Sequence, residues 1–190
     1  MKGLKQAYSK KEQEIKQRLE DFKKVKGDSI FYELCFCILT PQSNAKKCDK
    51  AVQLLKNNNF KNKDFNPVEF LRTNTRFHNN KAKYLLEMKK QYPKIELDRE
   101  YLVKNIKGLG LKEASHFLRN IGKTDLAILD RHILKNLKKH NAIKEIPKTL
   151  TKSKYLEIEQ QFKDFAKKAK IPMDHLDLLF WSTETGEVFK

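Results

Sequence analysis

Apolar side chains recur at three- and four-residue spacing along nearly the whole chain, a period that admits helices and excludes a sheet. Tyr8, Ile15, Leu19, Phe22 and Val25 form a narrow stripe in a charged background over residues 8–25, as on a surface helix. Residues 30–39, "IFYELCFCIL", are apolar on almost every side and read as a buried central helix. Gly27-Asp28-Ser29 supplies a stop and an N-cap between the two, and Thr40-Pro41-Gln42-Ser43 breaks the second. A third helix follows with Ala45, Cys48, Val52 and Leu55 on one face. Beyond the polar "KNNNFKNKDFN", the pattern gives a short helix from Pro67, one in "FHNNKAKYLLEMKKQY" and one in "REYLVKNI" behind Asp98. Asp130 stands before another in "RHILKNLKKH", and two more cover residues 151–169 and 173–183. Glycine is scarce, β-branched runs are absent and no repeat of fixed period is present, so the expectation is an all-α chain of about nine or ten helices.

A length of 190 residues with 39% hydrophobic content can fill one helical core or two small lobes. The charge is lopsided: 41 Lys+Arg against 24 Asp+Glu gives +17, and only six of the basic residues are arginine. Such an excess calls for a polyanionic partner, although a lysine-rich surface without one stays open. Nucleic acid fits better than a membrane, because no apolar run approaches the ~20 residues that span a bilayer. The charged N-terminus carries no secretory signal. Cys35, Cys37 and Cys48 are an odd number and read as reduced thiols of an intracellular chain, the first two buried in their apolar segment.

The stretch "IKGLGLKEASHFLRNIG", residues 106–122, joins two helical patterns through Gly108-Leu109-Gly110. Without a Cβ in the way, backbone N–H groups at the start of the second helix can face a phosphate, and the helix dipole adds to the attraction. Such turns also join helices that bind nothing. Lys112 falls in the first turn of the second helix, where the dipole opposes a cation. That is a poor place for a structural lysine and a useful one for an amine nucleophile, which must be neutral to react. Chance remains an alternative in a chain with 35 lysines. Asp130, in "LAILDRHIL", is an N-cap whose carboxylate is thereby aimed at one place; a cap and nothing more is the alternative.

Gly108-Leu109-Gly110-Leu111-Lys112-Glu113-Ala114, followed by Leu129-Asp130-Arg131-His132, resembles the helix-hairpin-helix DNA glycosylases. The Lys/Asp spacing is that of their 8-oxoguanine-excising branch. "CILTPQSNAKK" is similar to the family segment that carries the residue inserted into the duplex, and "RFHNNKAKYL" to its second DNA-facing loop. The chain lacks the N-terminal β-domain of the longer eukaryotic-type enzymes and ends in "FWSTETGEVFK", so it resembles the second, archaeal and bacterial type of 8-oxoguanine DNA glycosylase over about residues 30–190.

The resemblance implies two helical lobes, residues 30–127 and residues 1–29 with 128–190, and an active site in the cleft between them. It makes Lys112 the amine that attacks C1′ of a flipped nucleotide, leaving a Schiff base that permits strand cleavage by β-elimination. Asp130 stabilises the developing oxocarbenium charge and assists proton removal. Gln42 fills the hole left by the flipped base, with Ser43 beside it and Asn79, Asn80 and Lys81 on the second loop; Gly108 and Gly110 face the phosphates. His116, one turn beyond Lys112, lines the base pocket or packs on a neighbour. Of the aromatic pair near the C-terminus, Phe180 is the expected stacking partner for the purine and Trp181 the expected core residue. Lys190 ends a tail, anchored by Val188 and Phe189, whose carboxylate reads the N7–H that 8-oxoguanine has and guanine lacks.

The expected partner is double-stranded DNA bearing oxidised guanine, met by a cytoplasmic monomer that uses no cofactor or metal. No cysteine lies beyond Cys48, so the four-cysteine iron–sulfur loop of some relatives has no ligands here. A glycosylase for another lesion and a non-catalytic DNA-binding module are the alternatives.

Overall fold

A computed structural model describes residues 2–190, and all of its regular structure is helical, as the apolar period requires. The helices are α1 (Lys2–Lys23), α2 (Asp28–Leu39), α3 (Ala45–Asn57), α4 (Val68–Arg72), α5 (His78–Gln91), α6 (Arg99–Asn105), α7 (Leu111–Asn120), α8 (Arg131–Lys139), α9 (Lys152–Ala169) and α10 (Met173–Thr185), with a 3₁₀ turn at Tyr92–Lys94 after α5. No helix among the described residues is long and apolar enough to cross a membrane.

The chain divides into two compact units. One is Val25–Phe117; the other joins Leu118–Lys190 to the N-terminal segment through Lys24. The resemblance suggested breaks near residues 29 and 127. They fall earlier because Arg119 is tied into the second unit, with its guanidinium 5.0 Å from the Phe22 ring of α1 and 3.1 Å from Asp177 of α10.

Within Val25–Phe117, α2 is the central helix: every residue from Phe31 to Leu39 is buried, which is why its sequence shows no polar face. It packs against α3 and α5. Phe31 meets the Tyr92 ring edge-on at 4.9 Å, and Phe60 lies 6.1 Å from it. Each such buried Phe or Leu contributes roughly 1.5–3 kcal/mol. The N-terminus of α2 corrects one expectation. Gly27 occupies the N-cap position without a side-chain cap, while Asp28 lies inside the first turn and pairs with Lys61. Downstream, Asn44 accepts from Lys47 N–H at 3.1 Å, and Asp98 caps its helix as expected, accepting from Tyr101 N–H at 2.9 Å.

In the other unit α10 is the hub, packed on α1, α8 and α9. The Tyr8 hydroxyl of α1 lies 2.8 Å from His175 Nδ1 of α10. Arg119 and Asp177 form a buried pair, with side chains only 4% and 10% exposed. Burial pushes the Asp177 carboxyl up against the pull of Arg119.

Candidate active site

The turn between α6 and α7 is built on alternation. Leu109 is buried and anchors it, while Gly108 and Gly110 on either side are exposed. Gly108 has φ of 89°, a left-handed conformation that a side chain resists, and a Cβ there would come within 2.9 Å of the Tyr84 ring. Gly110 starts α7: its carbonyl accepts from Ala114 N–H at 2.9 Å. Glu113, in the first turn, reaches back so that Oε2 accepts from Gly110 N–H at 3.3 Å, the acidic half of a capping box.

Lys112 is the second residue of α7 and is partly exposed. Its Nζ lies 2.9 Å from Glu113 Oε1. The amine is thus held by the same carboxylate that caps the helix. His116, on the same helix face one turn on, meets the Phe36 ring edge-on at 5.7 Å.

Asp130 is the N-cap of α8, accepting from His132 N–H and Ile133 N–H, each at 2.8 Å and both through Oδ1. It belongs to the unit that contains Leu118–Lys190, and Lys112 to the unit Val25–Phe117.

Three loops of Val25–Phe117 carry exposed residues in strained backbone, at Gln42, Asn59 and Phe77. Gln42 has φ of 54° and Phe77, the N-cap of α5, has φ of 57°. A left-handed conformation costs a non-glycine residue roughly 1–2 kcal/mol and persists only where surroundings enforce it. Phe77 is 52% exposed, and the Arg76 guanidinium lies 5.5 Å from its ring. Asn79 and Asn80 follow, both exposed, in the first turn of α5. Lys81 departs from expectation. Only 4% exposed, it donates to Leu39 O at 2.6 Å, Pro41 O at 2.8 Å and Ser43 Oγ at 2.8 Å. An ammonium has three N–H groups, so none remains for a phosphate. Burial pulls this ammonium down to about 8, with Arg76 adding to the fall and Cys48 opposing it.

The two aromatic assignments at the C-terminal end are reversed. Phe180 is 1% exposed and stacks on His140 at 5.5 Å and on Phe162 at 6.1 Å, so it is core. Trp181, the next residue and therefore about 100° around the helix, is the part-exposed one. It stacks on Phe189 at 6.2 Å, and with Val188 buried the tail is anchored as expected, ending in a part-exposed Lys190.

The profile of the 8-oxoguanine DNA glycosylase family matches residues 15–171. The chain belongs to this family. An 8-oxoguanine DNA glycosylase/AP lyase of Fusobacterium nucleatum is 44% identical over 209 residues, covering 98% of this chain and 96% of that protein. One from Methanocaldococcus jannaschii is 39% identical over 192 residues, with 93% and 91% covered. The crystal structure of the M. jannaschii glycosylase/lyase with a 15-mer DNA containing 8-oxoguanine superposes with a TM-score of 0.87 at 36% identity, over 100% of both chains.

Two residues of this 8-oxoguanine DNA glycosylase family member escaped the sequence reading. Glu113 was visible as an acid three residues after Gly110, the spacing of a capping box, but its grip on Lys112 needs coordinates. Phe77 was hidden because an aromatic residue beside a helix start reads as core; only its exposure and left-handed backbone mark it out.

Proposed function

We propose that this chain excises 8-oxoguanine from duplex DNA and cleaves the strand at the resulting abasic site, with Lys112 as the attacking amine. The observation that carries this reading is that the family match runs through both Lys112 and Asp130, which stand at the starts of α7 and α8. Backbone N–H groups around Gly108 and Gly110 and the surrounding lysines hold phosphates without reading sequence. Gln42 and Phe77 enter the duplex as the damaged nucleotide swings out, and Asn79 and Asn80 contact the strand beside them. Trp181, His116 and the Lys190 carboxylate are assigned to recognition of the damaged base. Asp130, whose charge supports the cationic sugar, takes a proton from Lys112; the freed amine attacks C1′ as the C1′–N9 bond breaks and the base leaves carrying a proton, and O4′ then leaves C1′ as the ring opens to the Schiff base. The resulting Schiff base acidifies the neighbouring C2′–H, and β-elimination breaks the 3′ phosphate ester. The enzyme works as a monomer in the cytoplasm of a prokaryotic cell, in keeping with its bacterial and archaeal relatives.

Borohydride reduction tests the reading. With an 8-oxoguanine duplex the wild type should form a covalent protein–DNA adduct, and Lys112→Gln should form none while still binding DNA. Binding without lesion preference or adduct would leave only a DNA-binding module; an adduct retained by Lys112→Gln would move the nucleophile elsewhere.

A further inference from the structure

Lys81 ties α5 to the end of α2 and to the loop that follows it. Its ammonium takes Leu39 O at the end of α2, where the helix dipole favours a cation, and Pro41 O and Ser43 Oγ in the loop that follows. Leu39 O also accepts from the Cys48 thiol of α3 at 3.2 Å. Ser43 is used to capacity: its hydroxyl donates to Pro41 O at 3.4 Å and accepts both from Lys81 and from the backbone N–H of Arg76 at 2.9 Å. The residues on both sides of Gln42 are therefore fixed, and so is the residue before Phe77. The two exposed, left-handed tips are mounted on one buried knot.

We infer that Lys81 is a positioning residue for base extrusion: it holds the Gln42 and Phe77 tips in one fixed relation so that both enter the duplex together. Its side chain touches no DNA; it acts through the loops it pins. The inference rests on the functional reading above, and its test must separate the two.

The measurement is base opening, read from 2-aminopurine placed beside 8-oxoguanine in a duplex, together with single-turnover base release. Release is followed from the lesion paired with cytosine and from the same lesion in an unpaired bubble, and cleavage of a preformed abasic site is the control. Lys81→Met keeps the stem and removes every donor. It should lose most of the fluorescence rise and slow release from the paired lesion by about tenfold or more, while bubble and abasic substrates lose less than about threefold. A lysine that merely stabilised the fold would lower all three rates together. Ser43→Ala, which leaves Lys81 its two carbonyl bonds and removes the hydroxyl that joins Lys81 to Arg76 and Pro41, serves if Lys81→Met does not fold; its smaller loss should again be confined to the paired substrate. Equal losses on all substrates, or opening equal to wild type in both variants, overturns the inference. A wild type that opened the duplex but released no base would sink the functional reading and leave the clamp standing.

Discussion

The two glycines of the α6–α7 turn should respond very differently to alanine, although only one residue separates them. At Gly108 a Cβ meets both obstacles: φ of 89° and the Tyr84 ring carbon at 2.9 Å. The left-handed backbone costs alanine roughly 1–2 kcal/mol, and moving a part-buried ring aside costs roughly 1–3 kcal/mol. The reduced freedom of the unfolded chain returns about 0.4–1 kcal/mol, so Gly108→Ala should destabilise by about 1–5 kcal/mol. At Gly110 no positive φ stands in the way, and the nearest atom is Glu113 Oε2 at 3.2 Å, the far end of a flexible side chain. There the same return is set against a weakened Glu113 hydrogen bond of roughly 0.5–1.5 kcal/mol, and the net falls within about 1 kcal/mol of zero. Urea unfolding of the two variants measures the difference, and binding to an abasic-site analogue measures function. Gly110→Ala should fold like wild type yet, on the proposed phosphate contact, bind DNA more weakly, because its methyl group would crowd the N–H groups assigned to that contact. Equal destabilisation by both substitutions would refute the assignment of strain to Gly108, and unchanged binding by Gly110→Ala would remove this turn from the DNA contact.

Other expectations follow from buried charge. Arg119→Met should destabilise by about 3–5 kcal/mol, since it leaves Asp177 buried without its partner, and adding Asp177→Leu should restore much of the loss in thermal melts. Burial holds His175 below its ordinary value of 6.5, with Lys16 and Lys23 pushing the same way and Glu12 opposing. The unfolded chain then binds a proton that the folded ring resists. The stability tied to this ring is thus present above 6.5 and lost as pH falls through the lower folded value. His175→Gln should flatten that dependence in melts across the acid range. Asp130→Asn should keep its cap, with stability within about 0.5 kcal/mol of wild type, while base release falls steeply; Asp130→Ala should lose the cap as well, at about 1 kcal/mol.

Helices were legible wherever local chemistry decides. The all-round apolar run of α2 announced burial, and Asp98 and Asp130 announced helix starts, because capping uses only neighbours in sequence. Lys81 was expected at the surface because a lysine among asparagines reads as exposed, and it is buried. Its register told otherwise: it shares the buried face of α5 with Leu85 and Met88, four and seven residues on. That its donors would find the end of α2 could not be read, since those partners lie some 40 residues away in the chain. Phe180 and Trp181 were confused for another reason. From Leu176 to Phe180 α10 is buried without interruption, so period alone does not say where the buried face ends.

Asp130 and Glu113 share one design. Each is a carboxylate at a helix start that gives one oxygen to the backbone and leaves the other for different work. Asp130 Oδ1 takes the first free N–H groups of α8, so Oδ2 carries no part of the cap. Glu113 Oε2 takes the N–H of Gly110, and Oε1 holds the Lys112 amine. A cap fixes the rotamer of its side chain, so the second oxygen is held in place without any further contact. Capping and the proposed chemistry are therefore not rival explanations of these residues: the bond that satisfies the helix end is what orients the oxygen to which the proposed mechanism gives work. An amide at either position keeps the acceptor and discards the charge, which is why asparagine at 130 should preserve the fold while glutamine at 113 frees Lys112 without unwinding α7.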